Sequence, residues 1–207
     1  MRRVLVIIDF AHGADVAGKR SPDGKHLEYL WSRKVGNWLA ESLRDEGFEV
    51  AFTNTSCNEI GLSKRKNIAN ELDTPRGGVK ILLSLHNNAA GDGTSWKTAR
   101  GFEIYTTKGQ TRSDLFADVV FRQLEKDFPH TEGYKARVDT SDGDVDKESN
   151  FTVLMGNSYW AMLLEWLFQD NEADVKLLQD DTINHKLVDS LTQAFITIDE
   201  NLDNLKI

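Results

Sequence analysis

The sequence predicts an α/β fold built on a mainly parallel sheet. Three observations carry this expectation. Apolar runs of strand length alternate with segments whose apolar residues recur every three or four positions. The runs near the N-terminus and at 79–86 are continuous, as in strands covered on both faces. No linker splits the 207 residues and no internal repeat is visible, so a single domain over 1–207 is expected.

The elements follow in order. Residues 3–9, RVLVIID, are a β-branched run and form the first strand. A loop reaches Gly24. Leu27, Leu30, Trp31, Val35, Trp38, Leu39 and Leu43 then mark the inner face of a helix that Gly47 ends. FEVAFT, 48–53, alternates and is a second strand; 60–72 is helical, and TPRGG is a turn. VKILLSLH, 79–86, is a third strand ending at a histidine, and GFEIYTT, 101–107, is a fourth. A helix from Ser113 to Phe128 turns Leu115, Val119 and Leu124 inward and closes at Pro129. Residues 136–150 have no periodicity and read as a long polar loop. WAMLLEWLF, 160–168, is a buried strand carrying one Glu. A last helix from Asp181 to Leu202 presents Ile183, Leu187, Leu191, Phe195 and Ile198.

Composition narrows the function. Hydrophobic residues at 40% and charged residues at 28% suit an ordinary soluble domain. A net charge of −8 argues against a nucleic-acid backbone as the main partner. No stretch approaches the ~20 apolar residues of a membrane helix, so no membrane insertion is expected. MRRVLVIIDF resembles the start of a signal peptide, but its apolar run meets Asp9 too soon for the roughly 7–15 residues of a signal core. Cys57 is the single cysteine; it allows neither an internal disulfide nor a cysteine-built zinc site and reads as a loop residue. Any metal site must come from five His and 33 carboxylates.

In open α/β sheets the chemistry sits at the carboxyl ends of the strands. His12 follows the first strand, His86 ends the third, and Glu28 enters from the first turn of the first helix. Two His and one carboxylate are a catalytic zinc ligand set that leaves a position open for water. Glu165 is the only charged residue from Trp160 to Phe168, and an unpaired buried carboxylate costs several kcal/mol. It therefore needs a partner or a task, and the general base is the task that fits. Each residue also has a plainer reading. A histidine at a strand end can simply be hydrogen-bonded, a Glu at a helix start is favoured by the macrodipole, and a buried Glu can pair with Arg or Lys. Asn87-Asn88 can be a simple turn.

The motifs around these positions, taken in order, carry a resemblance. IDFAHG (8–13) with Glu28 opening a helix, GFEVAFTN (47–54), LSKRKNIAN (62–70), LLSLHNNAAG (82–91), GFEIYTT (101–107) and AMLLEWLFQDN (161–171) resemble the zinc-dependent N-acetylmuramoyl-L-alanine amidases, amidase type 3. The likeness spans roughly residues 4–172. It implies a single α/β domain with a mixed, mostly parallel central sheet flanked by helices, of the phosphorylase/hydrolase-like kind seen in zinc exopeptidases. It implies Zn2+ on His12, Glu28 and His86, with Glu165 as general base activating the metal-bound water. The substrate implied is peptidoglycan, cut at the amide between N-acetylmuramic acid and L-alanine. Asn88 occupies the place of a family Asn and is expected to make a structural or substrate-side hydrogen bond. Arg65 matches a family Arg and is a substrate-side candidate, or else a solvated or ion-paired helix residue. The small residue and Gly that usually precede the first family His are here Phe10 and Ala11, which alters loop packing without removing a ligand.

Other features fall outside the motifs. Lys19, Arg20 and Lys25 form a basic cluster in the 14–24 loop, able to meet stem-peptide carboxylates or merely solvated. His26, two residues before Glu28, points elsewhere on a helix; His130 and His185 are expected at the surface. Asp139, Asp142, Asp144 and Asp146 do not follow the calcium-loop pattern, since Gly143 is misplaced; the loop is expected to be a flexible acidic border of the groove. The alternatives are a zinc peptidase or deacylase acting on another amide, and an inactive wall-binding α/β domain. With no export signal seen, action at the wall implies release as a phage or prophage lysin, or a signal lying outside this sequence. No oligomeric state follows from the sequence.

Overall fold

The computed structural model describes residues 2–140 and 143–205. Along the chain run β1 (Val4–Phe10), α1 (Glu28–Asp45), β2 (Glu49–Phe52), α2 (Leu62–Glu71), β3 (Val79–Asn88), β4 (Glu103–Thr106), α3 (Arg112–Asp127), β5 (Lys147–Glu148), β6 (Trp160–Phe168), α4 (Glu172–Leu178) and α5 (Asp181–Glu200). The six strands form one sheet in the order β2-β1-β3-β6-β4-β5. Every neighbouring pair is parallel except β4 against β6. The expected mixed, mainly parallel sheet is present.

Strand alternation divides the sheet into two unequal faces. Val4, Val6, Ile8 and Phe10 of β1, Ile81, Leu83 and Leu85 of β3, and Met162, Leu164 and Trp166 of β6 enter the large core beneath α1, α3 and α5. The intervening residues face the other way. There Leu5, Ile7, Leu82, Ala161 and Leu163 meet a smaller cluster with Ala69 of α2, Leu154 and Tyr159. The same alternation carries Asp9, Ser84, His86 and Glu165 onto this thinner side, at the carboxyl ends of the strands. A polar site is thus set against the less heavily covered face, while the opposite face supplies most of the apolar burial.

Several details differ from the periodicity reading. Leu30 is exposed although it falls on the apolar stripe of α1. In α3 the buried face is Phe116, Ala117, Val120, Phe121 and Leu124, with Leu115 and Val119 only half-buried. The helix is rotated so that its two Phe side chains, the largest apolar groups on it, reach the core. The polar 136–150 stretch contains β5, which pairs with the edge of β4. A short helix, α4, follows β6, capped by the Asn171 side chain.

Candidate metal centre

His12 lies just past β1, where the chain turns sharply. Its φ is 47°, and Leu167 (φ 60°), beside the site on β6, is the other described non-glycine residue with positive φ. Ala11 N donates to Ser32 Oγ at 2.8 Å, and that hydroxyl donates to Leu85 O at 2.8 Å, tying the loop to α1 and β3. The His12 carbonyl accepts from Arg33 Nη2 (3.0 Å) and Arg65 Nη2 (3.2 Å). Gly13 follows because no side chain fits: a Cβ there would lie 2.1 Å from Glu59 N.

Glu28, at the start of α1, is buried between two imidazoles. Its Oε1 lies 3.0 Å from His86 Nδ1 and 3.4 Å from His12 Nε2, and it accepts from Asn87 N at 3.1 Å. Oε2 accepts from Gln169 Nε2 at 2.9 Å. The two rings stand edge to face, centroids 5.0 Å apart. One donor atom from each of His12, Glu28 and His86 lies within 4.8 Å of the others. Burial alone would push Glu28 towards neutrality, but the hydrogen bonds and charges of the two His outweigh it and hold its pKa far below the usual carboxylate range. Burial likewise disfavours a charged His86, yet Glu28 raises its pKa overall. Two imidazole nitrogens and a carboxylate converging on one point are a fitting donor set for a divalent cation. Among the described residues no other group of three His, Cys, Asp or Glu converges this way.

Glu165 is brought to the site by register. It pairs with His86 across β3–β6 and with Glu103 across β6–β4, so three ionisable side chains stand in a row on the thin face. The two adjacent carboxylates behave oppositely. Glu165 is half-buried, and its Oε2 has no hydrogen-bond partner among the described residues. Burial, reinforced by Glu28 and Glu103 and opposed by His86, pushes it up to about 8. Glu103 is also buried, but it accepts from Lys147 Nζ (2.6 Å), Arg137 Nε (2.7 Å), Tyr105 OH (2.8 Å) and Asn88 Nδ2 (2.6 Å). These donors outweigh burial and lower its pKa. One carboxylate is thereby locked as a charge, and its neighbour is left free to exchange a proton.

The remaining sequence candidates have clear positions. Arg65 is buried, and all three of its guanidinium nitrogens are committed. Nε and Nη2 reach Glu59 at 2.9 and 2.6 Å, Nη1 reaches Asp9 at 3.0 Å and the Phe10 carbonyl, and Nη2 also reaches the His12 carbonyl. Asp9 in turn accepts from Ser84 Oγ (2.6 Å) and from Thr53 Oγ1. Asn88 donates to Glu103, and its Oδ1 accepts from Ala89 N. His26 is buried but outside the converging set, its Nε2 lying 2.7 Å from Asn87 Oδ1. His130 and His185 are exposed, as expected, and so is Cys57. In the acidic loop, Asp142 lies outside the described residues. Asp146 is buried and accepts from Thr106 Oγ1 at 2.6 Å, so this part of the loop docks onto β4. Sequence reasoning passed over Glu103, Asn87, Gln169 and Arg33. Glu103 carried the same signal as Glu165, a lone charge in an apolar strand.

A cavity of about 340 Å³ opens beside the cluster, lined by His12, His86, Glu165, Lys19, Leu62 and Phe151 among others. A roomier depression, about 830 Å³, lies between Trp96, Arg100 and Lys176, away from the His–Glu cluster. Catalytic chemistry belongs with the first, where the donors converge.

The sequence profile of the N-acetylmuramoyl-L-alanine amidase family matches residues 6–197. The chain belongs to this family. No curated protein matches it. Among solved structures, the amidase of Clostridium difficile 630 is similar with a TM-score of 0.76 at 22% identity, covering 98% of each chain. An amidase of Mycobacterium smegmatis is similar with a TM-score of 0.77 at 18% identity, covering 96% of this chain and 97% of that one. The catalytic domain of an amidase from Bacillus (Paenibacillus) polymyxa var. colistinus gives a TM-score of 0.72 at 23% identity, covering 98% and 99%. These likenesses establish the fold. The enzyme is a peptidoglycan amidase by family, with a possible metal site at His12, Glu28 and His86.

Proposed function

We propose that the enzyme is a zinc amidase that hydrolyses the bond between the lactyl group of N-acetylmuramic acid and L-alanine. The observation that carries this reading is the convergence of His12, Glu28 and His86 beside Glu165, whose buried oxygen has no hydrogen-bond partner among the described residues. When bound, the cation would polarise the amide carbonyl and lower the pKa of water. His12 and His86 would each offer an imidazole nitrogen, and Glu28 a carboxylate oxygen. Glu28 is oriented by Asn87 N and Gln169, the kind of outer support that fixes a ligand's geometry.

Glu165 would take a proton from the attacking water and deliver it to the departing amide nitrogen. An Oε2 without a competing hydrogen bond among the described residues suits a group that must exchange a proton in each turnover. Arg65 and Asn88 enter the proposal as residues that shape the site. The guanidinium of Arg65 is spent on protein acceptors, and it holds the left-handed turn at His12. Asn88 keeps Glu103 in place beside Glu165. The whole chain is read as one catalytic domain.

No helix among the described residues is long and apolar enough to cross a membrane. Work at the cell wall then requires export or release, as for a lysin. Mass spectrometry of purified cell walls after digestion tests the reaction. Free lactyl-bearing glycan together with peptides starting at L-alanine is the expected product. Cleavage within the stem peptide, or removal of another acyl group, would turn the reading to a zinc peptidase or deacylase.

A further inference from the structure

The cavity beside Glu165 has an uneven charge. Asp9 and Glu59 on its wall are both spent on Arg65. Lys19, also on the wall, is half-buried and makes no ion pair among the described residues. Its charge is therefore open to a ligand that enters the cavity.

That placement is built into the loop. Gly18 has a φ of 78°, which turns the chain immediately before Lys19. The Lys19 carbonyl then accepts from Glu28 N at 3.1 Å, fixing the lysine backbone beside the start of α1. Arg20 bridges Leu27, Ser21 N donates to the His26 carbonyl, and His26 N donates to Ser21 Oγ, so residues 20–27 close as a stapled hairpin. Arg20 and Lys25 of the same basic cluster are exposed. Lys19 alone of the three reaches the cavity, and the Glu165 carboxyl feels its charge. Leu62 and Phe151 complete the lining with apolar surface that is 51% and 38% exposed.

We propose that Lys19 binds a free carboxylate of the substrate's peptide, next to the scissile amide, while Leu62 and Phe151 receive its apolar groups. This rests on the amidase reading and names the substrate feature that the cavity selects. A substrate carboxylate would give Lys19 the ion-pair partner it lacks among the described residues, through a charge-assisted hydrogen bond beside the apolar surface of Leu62 and Phe151.

Two synthetic muropeptides test it, differing only in whether the residue after L-alanine carries a free carboxylate or its amide. For the wild-type enzyme kcat/KM is expected to favour the free acid by about tenfold or more, the scale of one hydrogen bond to a charged group. In Lys19→Met that preference should collapse towards unity, chiefly through KM for the acid. Lys19→Arg should retain most of it. A wild-type enzyme that cuts both substrates equally overturns the assignment without any variant. So does a Lys19→Met enzyme that slows on both by the same factor, as a merely structural lysine would. If the wild-type enzyme releases L-alanine peptides from neither substrate, the amidase reading itself fails.

Discussion

Glu165 ionises near the usual pKa of about 4.3 in an unfolded chain. In the metal-free fold burial moves it to about 8. Below about pH 4 both states hold the proton, and the group has no effect on stability. As pH rises from there to about 8, the unfolded state loses its proton first, so the metal-free fold loses stability across that window. Glu165→Gln removes the penalty. Calorimetry of metal-free protein should find a higher Tm for the variant than for wild type at pH 8, and equal values at pH 4. Amidase turnover should meanwhile fall by about 10²–10⁴, the usual contribution of a general base. Arg65 presents the opposite case. Its loss leaves Asp9 buried and Glu59 partly buried without their cation, so Arg65→Ala is expected to cost about 3–5 kcal/mol in urea unfolding. A cost under about 1 kcal/mol would mean that the network is not holding the His12 turn. Glu165 was legible in the sequence because its charge interrupts an apolar run. Glu103 interrupts a shorter run, and only the sheet register reveals that the two are neighbours. Arg65 was not legible as a buried residue. It sits on a mostly polar helix and is buried by ion pairing, which leaves no apolar period to read.

Among elements, β6 does two things at once. Glu165 points to the thin face, while the next residue, Trp166, enters the large core. There its ring lies 4.7 Å from that of Phe128 and 5.3 Å from that of Phe102. Trp166→Ala should therefore cost about 3–5 kcal/mol of stability, the range for removing a large buried aromatic. Metal stoichiometry of the folded fraction should be unchanged. Lost metal with unchanged stability would place the aromatic cluster in the site instead of beneath it. The long strands and helices were legible because their apolar spacing matches one period over many residues. The rotation of α3 was not, since Leu115 and Phe116 are both apolar and only packing decides which goes deeper. Nor was β5, a two-residue edge strand defined by its pairing with β4.

For the whole molecule, the site joins distant parts of the chain. His12 belongs to the loop after β1, Glu28 to α1, His86 to β3 and Glu165 to β6. A cation held by the first three would bind only the folded chain and stabilise it by mass action, about 2.7 kcal/mol at a hundredfold excess over Kd. Chelation should lower Tm, and added zinc should restore it. A Tm indifferent to chelator would detach the metal from the fold. The measurement that bears most directly on the account is zinc content after dialysis, by elemental analysis, of wild type and of a variant carrying His12→Ala, Glu28→Ala and His86→Ala. About one zinc per wild-type chain and none in the folded variant is the expected result. Zinc retained by the variant, or absent from a zinc-saturated wild type, would contradict the account.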